Sequence, residues 1–146
     1  MLSLSALPLS LLLFTSHVYS ATHDILVGKG GLAFTPNTTQ ASPGDSLVFH
    51  FFPGHHNVVQ GDFSRACSPT AGGFYSGFII PASGEADEVF TVVVNDTNPI
   101  WFYCSATKHC ENGMVGAVNP PYVYCTFFFL SFCFQFGRPS YHKGLE

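Results

Sequence analysis

Residues 101–114 read Trp-Phe-Tyr-Cys-Ser-Ala-Thr-Lys-His-Cys-Glu-Asn-Gly-Met, placing a thiol, an imidazole and a thioether at Cys104, His109 and Met114. The spacing is C-x4-H-x4-M, behind an aromatic run of strand type. A loop of that length leaving a strand end can fold three side chains onto one metal ion. Thiolate with imidazole suits copper or zinc, whereas a weak axial Met beside Cys and His describes a blue-copper electron-transfer centre. Structural zinc prefers closely paired ligands such as C-x2-C with H-x3-H, and the chain has no such pairing. Taken singly, the Cys is a small buried hydrophobe and the Met a core filler. It is their joint occurrence with an upstream histidine that points to copper. Residues 54–59, Gly-His-His-Asn-Val-Val, supply that second histidine at His56, with His55 as its competitor.

Outward from this stretch the hydrophobic period is that of strands. Leu47, Phe49 and Phe51 alternate with Val48, His50 and Phe52 after the turn sequence Ser42-Pro43-Gly44-Asp45. Residues 90–94 and 100–103 are short β-branched or aromatic runs, and residues 115–118 close the domain. Pro, Gly, Ser and Asn punctuate the intervals as in a sandwich, and no segment carries a helical period. Residues 66–73 read as irregular. The expected fold is all-β, a Greek-key β-sandwich. His50, inside an apolar strand, reads as a hydrogen-bonded strand histidine rather than a ligand, and His23 is assigned no role. Asn57 is a candidate for tying the His56 segment to the Cys104 loop, with a plain strand-edge Asn as the alternative.

From about Ile25 to Pro120 the chain resembles the cupredoxins, within them the phytocyanin-like group, and most closely small fungal secreted proteins with a plastocyanin-like domain. The resemblance rests on His56-Asn57-Val58, Gly77-Phe78, residues 99–104, His109-Cys110 and Gly113-Met114. It implies one type 1 copper held by His56, Cys104, His109 and Met114. The His-Asn-Val match favours His56 over His55. Five cysteines are an odd count, and Cys104 as metal thiolate accounts for one. Cys67 and Cys110 remain within the domain, and the resemblance implies that they are bridged. Cys125 and Cys133 fall in the tail.

Residues 1–20 have the apolar run and small-residue end of a signal peptide, without the usual basic start, so export is expected. Residues 21–120 form the expected domain, with three basic residues, eight acidic ones and a net charge near −5. That balance argues against nucleic acid. The sequons at Asn37 and Asn95 fit secretion as glycosylation candidates. Residues 121–146 form an atypical aromatic tail, short of a membrane span. It reads either as a gene-model artefact (an unspliced intron) or as a segment giving cell-wall or membrane association. The function expected is a secreted one-electron carrier, not an enzyme, working with an unidentified redox protein or small molecule. The alternative is an extracellular or cell-surface interaction or copper-sequestering module. An oxidase fragment would need paired His-x-His motifs, which the chain lacks.

Overall fold

The computed structural model describes residues 19–121. The leader, apart from its last two residues, and the tail beyond residue 121, with Cys125 and Cys133, lie outside the described residues. Nine strands run in chain order: β1 (Thr22–Val27), β2 (Phe34–Thr35), β3 (Thr38–Thr39), β4 (Ser46–Phe51), β5 (Val59–Asp62), β6 (Arg65–Pro69), β7 (Val89–Val93), β8 (Ile100–Tyr103) and β9 (Val115–Val118). Among the described residues there is no helix. One sheet has the order β2-β1-β4-β7, the other β3-β9-β8-β5-β6. The result is the expected Greek-key β-sandwich.

The alternation in β4 sets which way the first sheet faces. Leu47, Phe49 and Phe51 are fully buried, while Val48 and His50 lie on the outer face. Opposite them, Phe102 of β8 enters the core and packs edge-on to Phe34 and Phe49, with centroids 5.0 and 5.3 Å away. Such edge-to-face pairs add about 0.5–1.5 kcal/mol each beyond area burial. Because side chains alternate along a strand, Tyr103 points to the other face. There it joins a second cluster with Val59, Cys110 and Val115, against which Cys67 packs. On the outer face of the first sheet His50 bridges Asp24 and Glu85, at 2.9 and 2.7 Å, which makes it the hydrogen-bonded strand histidine expected.

Residues 66–73 depart from the irregular reading, because β6 occupies Arg65–Pro69 and pairs with β5. Its pairing comes from the hairpin rather than from an apolar period. Asp62 accepts from the Ser64 amide and from the Arg65 guanidinium, closing the turn. The strand is hard to read because Cys67 sits at φ 57°, outside the extended region.

Topology collects three connections, β1–β2, β4–β5 and β8–β9, at one end of the sandwich. β1 and β4 run parallel and finish together, Val27 beside Phe51. β5 starts at this end and β8 stops there, with Val59 opposite Tyr103, while β9 leaves from it, with Val115 also opposite Tyr103. The residues before β5 and those between β8 and β9 therefore meet.

The opposite end is held by Asp45. Its carboxylate accepts from the Ala21 and Ser42 amides, both at 2.8 Å, and from His23 Nε2 at 3.0 Å. The hydrogen bond from His23, followed by those from the two amides, lowers its pKa from 3.8 to about 2. A depressed carboxylate stabilises the fold above its unfolded value and loses that contribution as pH falls through the folded one. The acid unfolding of Asp45→Asn should therefore lack the component that the wild type loses between pH 3.8 and about 2. Its melting temperature should be lower at pH 7 and converge on wild type below that window. Parallel melting curves across the whole range would refute the assignment.

Candidate metal centre

His56, Cys104 and His109 come together at the end where these three connections meet, with one donor atom from each within 4.8 Å of the others. Cys104 Sγ lies 3.4 Å from His109 Nδ1, and the two imidazole centroids are 5.1 Å apart. Cys104 and Met114 are fully buried, His56 is 3% exposed, and His109 is half-buried at the surface. His55 is not part of this cluster. Its exposed ring stacks on Phe78 at 4.0 Å and 5°, so the choice of His56 agrees with the geometry.

The ligand loop is closed on itself by backbone bonds. Cys104 N donates to Met114 O at 3.1 Å, joining its two ends. His109 N donates to Ala106 O and Met114 N to His109 O, each at 2.9 Å, which folds the loop into successive turns. Gly113, at φ 95°, takes the left-handed position that lets Met114 turn back into the core. The neighbouring Cys110 is bonded to Cys67 of β6, with Cα atoms 5.8 Å apart, so the pairing implied by resemblance is present. The bridge fastens the residue after His109 to the five-stranded sheet. Cys104 is the free thiol of the described residues.

Asn57 is fully buried and joins the two ligand segments. Its Nδ2 donates to Ser105 Oγ at 2.8 Å, and its Oδ1 accepts from Ser105 N at 2.7 Å. His56 itself is held by Ile79 N donating to its carbonyl at 3.2 Å. Two glycines wall the His56 ring. A Cβ on Gly28 would meet the imidazole at 2.4 Å, and one on Gly54 at 2.3 Å. Sequence reasoning missed both, although a Gly directly after β1 and another two residues before His56 were the available signals.

The donors suit a soft, nitrogen- and sulfur-binding metal. His56 Nδ1 is buried without a hydrogen-bond partner among the described residues, an arrangement a metal ion would satisfy. Burial, then the nearby His109 and His55, lower the His56 pKa and keep the ring in its neutral, ligating form. Burial raises the Cys104 thiol, while backbone hydrogen bonds from Asn57 and Ala106 oppose the shift. A metal ion would resolve that conflict by binding the thiolate.

No family model matches the chain. Over 101 residues it is 41% identical to a probable GPI-anchored cupredoxin of Arthroderma benhamiae, covering 68% of this chain and 52% of that one. It is 33% identical to the plastocyanin of Vicia faba, covering 66% of this chain and 97% of that protein. A purple cupredoxin from Nitrosopumilus maritimus shares the fold, with a TM-score of 0.51 at 18% identity over 66% of this chain and 96% of that one. The chain spans about half the length of the fungal relatives it matches. A Greek-key sandwich with a His-Cys-His cluster at one end, His56 and Cys104 buried and His109 at the surface, is the architecture of a blue-copper domain. This chain belongs to the cupredoxin family, and the cofactor its site fits is one copper ion.

The glycine walls give a test. Gly54→Ala should leave the disulfide and the strands intact but displace the His56 ring. The expected loss is about 10–100-fold in copper affinity, the range for groups that orient a metal ligand. Competition titration would measure it, and an unchanged affinity would show that the ring has room to move.

Proposed function

We propose that the domain is a one-electron carrier at the cell exterior, with His56, Cys104, His109 and Met114 as the ligands of its copper. The observation that supports this most is the unequal exposure of the donors. His56, Cys104 and Met114 are buried, and His109 alone of the four reaches the surface. Bound copper supplies a one-electron Cu(I)/Cu(II) couple. The chain contributes the remainder: backbone bonds within residues 104–114, the Asn57–Ser105 pair and the Cys67–Cys110 bridge hold the donors in one arrangement. Ligands locked in this way reorganise little between charge states. Burial excludes water from Cys104, and the half-exposed His109 imidazole is the route by which an electron enters or leaves.

Export is supported by the leader-like start and by the names of the fungal relatives, one extracellular and one GPI-anchored. Because those proteins are longer, the activity and partners of the whole protein are part of the proposal. The partner is a redox protein or small molecule that meets the domain at His109.

Copper titration tests the assignment. The wild-type protein should gain intense visible absorption from thiolate-to-copper charge transfer, and Cys104→Ser should lose it. Met114→Gln should retain copper but lower the reduction potential, since a harder oxygen donor favours Cu(II). A colourless wild-type protein holding one tight zinc ion would reject the reading. An unchanged potential in Met114→Gln would remove Met114 from the ligand set, and a slow electron self-exchange would favour copper storage over transfer.

A further inference from the structure

The metal centre leaves two Asn-x-Thr sequons unused, at residues 37–39 and 95–97, and the fold treats them differently. Asn95 and Thr97 are both exposed, in the bend after β7, where Asn98 N donates to Asp96 Oδ1 at 2.8 Å. Asn37 is exposed as well, but its threonine is not. Thr39 is 8% exposed, and its Oγ1 touches neither solvent nor a hydrogen-bond partner among the described residues. It lies in β3, paired with Val118 of β9. On either side, Ala117 N donates to Asn37 O and Asn119 N to Thr39 O, each at 2.9 Å.

We propose that both asparagines are glycan acceptors in different states of the chain. Asn95 accepts with the domain folded, and Asn37 accepts only before β3 docks on β9. In the transfer, Asn Nδ2 attacks the anomeric carbon of an oligosaccharide carried on a lipid diphosphate. The N–C bond forms and the C–O bond to the diphosphate breaks. The lipid diphosphate leaves with the bonding pair, and Nδ2 gives up one proton. The transferase must hold the sequon extended and engage its third-position hydroxyl. At 95–97 that hydroxyl belongs to an exposed residue, whereas at 37–39 the folded domain encloses it. Asn95 lies just past Val93, which pairs with Ser46 at the start of β4, so its glycan sits at the end opposite the metal. Asn37 precedes β3 at the edge of the five-stranded sheet. Both positions are outside the ligand loops.

Occurrence in the cell rests on the export reading proposed above, but the dependence on folding does not. The full chain, made without glycans, would be presented to purified oligosaccharyltransferase and its lipid-linked donor, either folded or reduced and alkylated. Occupancy would be read by mass after enzymatic deglycosylation in heavy-oxygen water. Asn95 should be modified in both states. Asn37 should be modified about tenfold less in the folded chain, because exposing Thr39 requires β3 to open. Thr39→Val, which keeps the buried volume, should abolish transfer to Asn37 alone, and Thr97→Val transfer to Asn95 alone. Equal transfer to Asn37 in both states, none to it in the unfolded chain, or none to Asn95 in the folded one would overturn the proposal. Retention of the chain inside a eukaryotic host, with the in vitro difference intact, would count against export alone.

Discussion

The paired hydrogen bonds between Asn57 and Ser105 are the constraint on which the metal end depends. One donor comes from residue 56 and the others from residues 104–114, so the site exists only if two segments far apart in sequence are held in register. The Asn57 amide uses both its oxygen and its nitrogen on Ser105, across a sequence separation of 48. It is fully buried, so losing either bond would strand a polar group away from water, at about 1–3 kcal/mol each. That cost rises with any displacement of one segment against the other. The pair therefore acts as a clamp, and the strands behind it serve as its rigid backing.

Around the clamp the electrostatics act on metal binding in two directions. Burial works against a charged His56 and against a Cys104 thiolate. The first effect helps metal binding, since the ligating imidazole is neutral, while the second hinders it. The opposing hydrogen bonds to sulfur come from Asn57 and Ala106, residues that the clamp and the ligand loop already fix. One set of contacts thus positions the thiol and offsets part of its desolvation.

Much of this was legible in the sequence because it is local. The C-x4-H-x4-M spacing is set by chain connectivity, and the β4 alternation follows from the pleat. What stayed hidden depends on contacts between distant segments. β6 gave no apolar period because a hairpin pairs it, and a positive-φ Cys67 interrupts it. Gly28 and Gly54 look like ordinary turn glycines until the His56 ring is found between them. The Cys67–Cys110 pair came from resemblance and residue arithmetic, since connectivity does not follow from spacing alone.

The two imidazoles of the cluster are not equivalent, and the fold explains why. His56 precedes a strand, so its ring is carried inward and enclosed by the backbone of Gly28 and Gly54, where any side chain would collide with it. His109 lies in the middle of the loop, where the chain turns between Ala106 and Met114 and its ring stays half-buried. Lys108 before it takes a left-handed φ of 61°, and Cys110 after it is tied down by the bridge. A mid-loop residue fixed on both sides combines surface access with restricted motion. Access without restriction would give a loosely held ligand, and restriction without access would isolate the metal. At position 109 the loop satisfies both requirements, so the electron route proposed through this imidazole would need no movement of the domain.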